Sequence, residues 1–240
     1  MIANEEVKKQ SEKATESEKM KTAFLNSICH EIRTPLNSIA GFSELITDES
    51  LDAVTREEFK DLILNNSTTL LSIVNNILEL SELVSSYEPL PVGPTDIYGL
   101  CVEEMEILKE KILNSDILCI TEADKKEIII PTNAFYLSRV IGNLLSNAAK
   151  FTEKGTITLT CQIDEDQEVV VISVTDTGIG IPTDKQEWVF ERFTKVDDFK
   201  PGTGLGLYIC RIIIQRLGGN ISIDTCYTKG CKVLVCMPIK

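Results

Sequence analysis

The sequence predicts a helical hairpin followed by an α/β domain, and three observations carry that prediction. Apolar residues in the first third recur at threes and fours, the spacing of amphipathic helices. The stretch Ser85-Ser86-Tyr87-Glu88-Pro89-Leu90-Pro91-Val92-Gly93-Pro94 then interrupts the pattern with three prolines in six positions. Beyond it, short β-branched runs alternate with helical stripes, as in a sheet covered by helices.

The first long helix is expected from about Ser17 to Ile46. Met20, Phe24, Ile28 and Ile32 form one stripe, and His30, Thr34 and Asn37 form a second. Thr55-Arg56-Glu57-Glu58 has capping-box form, with Thr55 as N-cap of a second helix. That helix carries Phe59, Leu62, Ile63, Leu70, Ile73, Ile77, Leu80 and Val84 on its seam. One hairpin cannot bury the apolar stripes of two such helices. Pairing with a second copy gives a four-helix bundle, so a homodimer is expected. The resulting division is a helical lead-in over 1–18, a hairpin domain over 19–85, a linker over 86–94 and an α/β domain over 95–240.

In the α/β part, Thr95 or Asp96 caps a helix with Ile97, Leu100, Cys101, Met105, Leu108 and Ile112 on one face. Ile117 to Ile120 and Glu127 to Ile130 read as a hairpin pair. A helix to about Lys150 follows Pro131-Thr132. Thr156 to Gln162 and Glu168 to Thr175 alternate as strands. Trp188 to Phe193 reads as a short helix, and the polar Thr194 to Pro201 as a lid. Gly218-Gly219 ends the next helix. Ile221 to Cys226 and Lys232 to Met237 close the sheet as a hairpin.

Composition narrows the function. The 240 residues hold 37 acidic and 24 basic side chains, a net charge of −13. Nucleic-acid binding needs a basic surface, so no nucleic-acid partner is expected. No apolar run approaches the length of about 20 residues that spans a bilayer, and no signal peptide is visible at Met1. A cytoplasmic portion is therefore expected. Among the eight cysteines, Cys101, Cys119, Cys161, Cys210, Cys226, Cys231 and Cys236 fall among apolar residues, and none forms a Cys-x-x-Cys pair. They read as small buried hydrophobes in a reducing compartment.

Four features carry chemistry. His30 is the sole histidine, with Glu31 at the edge of its polar face and Pro35 removing a helical donor. Arg139, Asn143, Asn147 and Lys150 share a helix face on which amide oxygens suit Mg²⁺ and the ammonium suits phosphate. Asp176-Thr177-Gly178-Ile179-Gly180 ends a strand with a carboxylate able to accept from an exocyclic amine such as that of adenine. Gly202-Thr203-Gly204-Leu205-Gly206-Leu207 opens a helix whose N–H groups can face phosphate. Taken singly, these are equally a surface histidine, a polar helix face, a turn and a flexible helix start.

Taken in order, His-Glu-x-x-Thr-Pro, Asn-x-x-x-Asn-x-x-Lys, Asp-x-Gly-x-Gly, Phe-x-x-Phe and Gly-x-Gly-Leu-Gly-Leu resemble the catalytic core of bacterial sensor histidine kinases, from about Lys19 to Lys240. The resemblance implies a dimerisation and phosphoacceptor domain, then the α/β sandwich ATP-binding domain shared with gyrase-type ATPases and Hsp90-type chaperones, a mixed sheet with helices on one face. It implies that His30 attacks the γ-phosphorus of ATP while Glu31 handles the proton on the other ring nitrogen. It implies that Asn147, helped by Asn143, holds Mg²⁺, and that Lys150 neutralises phosphate. Arg192 and Lys195 become candidates for the transferring phosphoryl group. Asp176 would accept from the adenine amine, with Gly178 and Gly180 shaping the pocket. Gly202, Thr203, Gly204, Leu205 and Gly206 would wrap the triphosphate. Thr34 would position a water for dephosphorylating a partner, and the phosphoryl group would pass to an aspartate on a response-regulator receiver domain. Where the ATPases carry Glu to activate water, Asn143 stands here, which suits transfer to a side chain. A phosphatase-dominated regulator and a non-catalytic nucleotide-binding scaffold are the alternatives. Membrane attachment would come only through a missing upstream region, with the full-length parent anchored in the inner membrane.

Overall fold

The computed structural model describes residues 22, 25–26, 28–85, 88–112, 116–192, 194–196 and 204–240. The lead-in expected over 1–18 lies outside these residues. The described chain forms two compact units that part between Ser81 and Glu82.

The first unit is the helical hairpin. Helix α1 covers residues 28–45, and α2 spans Ala53–Ser85. Phe42 and Phe59 face each other across the hairpin with ring centroids 5.3 Å apart. The cap of α2 differs from the expectation. Asp52, not Thr55, terminates the turn, its Oδ1 accepting from the Thr55 N–H at 2.8 Å. A shorter carboxylate just before the first helical residue serves an N-cap better than a threonine already inside the helix. The α2 seam is also corrected. Ile73 and Leu80 are buried, but Leu62 and Val84 are exposed. Leu64, Leu71 and Leu78, seven residues apart, form a second exposed stripe together with Val74.

The second unit is a mixed five-stranded sheet with three helices on one face. Its elements are β1 (Gly93–Asp96), α3 (Ile97–Lys111), β2 (Ile117–Ala123), β3 (Ile129–Thr132), α4 (Ala134–Phe151), β4 (Gly155–Asp164), β5 (Val169–Asp176), α5 (Gly206–Arg216), β6 (Asn220–Ile223) and β7 (Cys231–Pro238). The sheet order is β2-β4-β5-β7-β6, parallel only between β2 and β4. Alternation fills the layer between sheet and helices. Ile157, Leu159 and Cys161 of β4, Val170, Ile172 and Val174 of β5, and Val235 and Met237 of β7 are each at most 2% exposed. They meet Cys101 and Met105 of α3, Leu137, Val140, Ile141 and Leu144 of α4, and Ile209 and Ile213 of α5, all likewise buried. Burying such a side chain contributes about 1.5–3 kcal/mol, so this layer holds the unit together.

The expected pairing of residues 117–120 with 127–130 does not occur. β2 joins the main sheet beside β4, whereas β3 pairs antiparallel with β1 in a separate two-stranded ribbon. Gly93 and Pro94, read as linker, are the start of that ribbon. Pro94 fits because a proline at a strand edge gives up no ladder bond. Asp96 is the N-cap residue of α3 but makes no side-chain cap bond. The short helix expected at 188–193 is a single 3-10 turn, Trp188–Phe190. The expected glycine stop is present. Gly218 adopts φ +80°, with its N–H bonded to the Gln215 carbonyl and the Gly219 N–H to the Ile214 carbonyl. Among the cysteines, Cys226 is exposed rather than buried, because the residues after β6 leave the sheet.

Candidate functional site

On α1, His30 and Thr34 are exposed and Glu31 is half-buried. Thr34 Oγ1 donates back to the His30 carbonyl at 3.3 Å. That back-bond and the missing N–H of Pro35 both weaken the helical ladder just after His30. The helix nevertheless continues through Pro35, which is buried.

The remaining candidate residues belong to the second unit. β5 points Val170, Ile172 and Val174 toward the helices, and Asp176 keeps that parity at the strand end. Its carboxylate is therefore delivered to the same layer, 6% exposed. Oδ1 accepts from the Gly178 N–H at 2.9 Å and from the Cys231 N–H at 3.3 Å. Cys231 is the cross-strand neighbour of Asp176 on β7. Burial holds the Asp176 pKa above the usual carboxylate value, with the two N–H groups opposing it. Burial also pushes the Cys231 thiol up to about 12, aided by the Asp176 charge, so the thiol stays neutral beside the carboxylate.

The loop after Asp176 has no room for side chains. A Cβ on Gly178 would lie 2.3 Å from the Phe151 carbonyl oxygen, and Gly180 adopts φ +70°. Since the obstructing atom is backbone, Gly178→Ala is expected to cost about 1–3 kcal/mol of stability. A thermal melt of the unliganded protein checks this.

On α4, Asn143, Asn147 and Lys150 are half-buried on one stripe. Asn147 Nδ2 donates to Asn143 Oδ1 at 3.4 Å. Lys150 Nζ sits 4.7 Å from the centroid of the Phe151 ring. A Cβ on Gly206 would come within 2.7 Å of Asn143 Oδ1, so the first residue of α5 packs directly on the amide pair. The N-terminal N–H groups of α5, which have no intrahelical acceptors, thus open beside Asn143. Leu205 anchors this corner at 1% exposure, and Gly204 adopts φ +64°. Arg192 is exposed, its guanidinium 4.8 Å over the Tyr208 ring of α5, and Lys195 is half-buried. Gly202 and Thr203, with most of the expected lid, lie outside the described residues.

One loop thus gathers Asp176, Gly178 and Gly180, and one corner gathers Asn143, Asn147 and Gly206. Sequence reasoning missed Cys231, the Phe151 carbonyl and Tyr208. The first was accessible in principle, because registering β7 against β5 puts Cys231 opposite Asp176. Among the described residues no group of three or more His, Cys, Asp or Glu can hold a metal. The amide pair suits an ion that takes few protein ligands and completes its shell with phosphate oxygens and water, as Mg²⁺ does.

Two family models match. Residues 20–85 match the His Kinase A (phospho-acceptor) domain, and residues 132–240 match the histidine kinase-, DNA gyrase B- and HSP90-like ATPase. The chain belongs to the histidine kinase family. This histidine kinase core is 32% identical over 244 residues to hybrid signal transduction histidine kinase A of Dictyostelium discoideum, covering 95% of this chain and 11% of that protein. It is 30% identical to sensor histidine kinase WalK of Bacillus subtilis (strain 168), covering 94% of this chain and 38% of that one. The core therefore spans only a minor part of these relatives. Among solved structures, full-length ShkA in complex with AMPPNP matches at 30% identity and TM-score 0.68, covering 89% of this chain and 45% of that one. Histidine kinase ThkA in complex with response regulator protein TrrA matches at 26% identity and TM-score 0.76, covering 97% and 66%.

Proposed function

We propose that this chain is an ATP-dependent protein-histidine kinase that phosphorylates His30 and passes the phosphoryl group to an aspartate of a response-regulator receiver domain. The observation that carries the reading is a buried carboxylate and a helix N-terminus on an amide pair, set in one ATPase-like unit.

Both bonds described to Asp176 go to Oδ1, which leaves Oδ2 to accept from the adenine amine. Gly178 and Gly180 let the loop backbone border the base. Asn147 and Asn143 hold magnesium, which neutralises charge on the phosphates when bound. Lys150 adds a positive charge to the phosphate side, and Gly202, Thr203, Gly204, Leu205 and Gly206 cover the triphosphate. A neutral His30 ring nitrogen attacks the γ-phosphorus, the bond to the β–γ bridging oxygen breaks, and ADP leaves with that oxygen. Glu31 takes the proton from the other ring nitrogen. Arg192 and Lys195 stabilise charge on the moving phosphoryl group, which requires electrostatic help above all. Thr34 positions a water for the reverse duty, dephosphorylation of the regulator. Incubation with γ-labelled ATP and magnesium tests this. Label stable in base, lost in acid and discharged onto an added receiver domain supports kinase function. Loss of phosphate from a pre-phosphorylated receiver without label uptake favours the phosphatase-dominated alternative.

The hairpin, assigned to residues 19–85, pairs with a second copy through the exposed Leu64, Leu71 and Leu78 stripe. Their heptad spacing suits a bundle seam. Leu71→Asp is expected to yield monomers in light scattering, because an unpaired carboxylate in a closed seam costs several kcal/mol, roughly a hundredfold or more in dimer affinity. We assign membrane anchoring, where the parent protein has it, to segments beyond this chain. The ATP-binding domain, expected over 95–240 after a linker at 86–94, is assigned from Gly93 onward because β1 opens there.

A further inference from the structure

The last turn of α2 contains no basic residue. A helix C-terminus has carbonyls without donors and carries partial negative charge, and Glu79, Glu82 and Glu88 add to it here. Another element supplies what is missing. Arg216, the last residue of α5, donates through Nη1 to the Leu83 carbonyl at 3.2 Å and through Nη2 to the Glu88 carbonyl. Leu83 is only 3% exposed. Further on, Asn133 Nδ2 donates to the Pro91 carbonyl at 2.7 Å, and Gly93–Asp96 is paired into the ribbon with β3. The end of α2 and the proline segment are thus fastened to the ATPase-like unit at Leu83, Glu88, Pro91 and Gly93. The boundary between the two units agrees: it falls between Ser81 and Glu82, inside α2 and ahead of the prolines.

α5 has its two ends in two places. Gly206 packs on Asn143 at the phosphate corner, and Arg216 grips the end of α2. The helix, 11 residues with both ends counted, spans about 16 Å. We propose that Arg216 is a positioning residue for phosphoryl transfer: it latches the end of α2 and the proline segment to the nucleotide-binding unit. The end of α2, and not the prolines alone, is then what carries that unit. A unit swinging from a loose proline tether would spread its nucleotide over many orientations, lowering its effective concentration at His30. The kinetic consequence rests on the kinase function proposed above, whereas the latch itself does not.

The test uses the whole chain with Arg216→Met, which keeps an unbranched apolar stem and removes the donors, and Arg216→Lys as the conservative partner. Hydrogen exchange at Val84, Ser85 and Leu90 should rise at least about tenfold in Arg216→Met, with β4 and β5 unchanged. The autophosphorylation kcat should fall about tenfold, with KM for ATP within about twofold of wild type. Arg216→Lys should recover part of both effects. Unchanged exchange overturns the latch. Faster exchange with unchanged kcat overturns the positioning role, as does a parallel change in kcat and KM, which reports damage to α5. If wild-type protein takes up no label, the kinase function fails instead, and exchange alone decides the latch.

Discussion

A His30→Gln variant is expected to bind ATP as tightly as wild type and take up no phosphoryl group. His30 is the only imidazole in the chain, so no second nitrogen of that kind can substitute. It is exposed on a unit separate from Asp176, Asn143 and Asn147, so its replacement leaves the nucleotide pocket untouched. Glutamine keeps a polar side chain but has no nucleophilic ring nitrogen, and label uptake should drop to below about a thousandth of wild type. ATP affinity from calorimetry should stay within about twofold. Equal labelling of the two proteins would exclude His30 as the acceptor.

An Asp176→Asn variant is expected to show the opposite pattern, losing ATP and keeping its fold. A hydrogen bond to a charged group contributes about 1.5–3 kcal/mol, so affinity should fall roughly tenfold to a hundredfold. Asparagine Oδ1 can still accept from the Gly178 and Cys231 N–H groups. The stability effect follows from the sign of the pKa shift. Burial raises the folded-state pKa above the unfolded one, so the folded protein binds the proton more tightly. The contribution to stability is fully present below the unfolded pKa and is lost as pH rises through the folded one. At neutral pH the ionised, buried carboxylate therefore opposes folding, and its replacement should leave Tm unchanged or raise it. Melts near pH 4 and pH 7 check this, since any gain from Asp176→Asn must grow toward pH 7. The same shift predicts that wild-type ATP affinity weakens on acidification, beginning above the ordinary carboxylate range. A lower Tm at pH 7 with unchanged ATP affinity would contradict both halves of the argument.

The parts of the fold legible in the sequence are those set by local period. The α4 stripe from Leu137 to Ala148 and the alternation of β4, β5 and β7 were readable because each segment repeats its pattern over two or more turns or pleats. Parity even places Asp176 on the helix side of the sheet, since it follows Val170, Ile172 and Val174. What stayed hidden depends on partners far along the chain. β2 and β3 are short apolar runs close in sequence, so a hairpin was the local solution. Their true neighbours, β4 and β1, can be known only from the assembled sheet. The strand at Gly93–Asp96 was hidden by Pro94, which marks a linker as well as an edge. The Asp52 cap was masked by the capping-box pattern three residues later. At the site, residue types were legible from the motifs, but the contacts of Cys231 with Asp176, Gly206 with Asn143 and Arg216 with Leu83 were not. Each joins residues more than 50 positions apart, and no spacing rule reaches that far.

The central claim is that nucleotide held by the α/β unit delivers its γ-phosphoryl group to one nitrogen of the hairpin. Fragmentation mass spectrometry at neutral pH, on the whole chain after incubation with ATP and magnesium, locates the group directly. A single added phosphoryl, carried by the peptide containing His30 and absent when magnesium is chelated, is the predicted result. A phosphoryl group on a serine, threonine or aspartate, or none at all on a chain that demonstrably binds ATP, would contradict it.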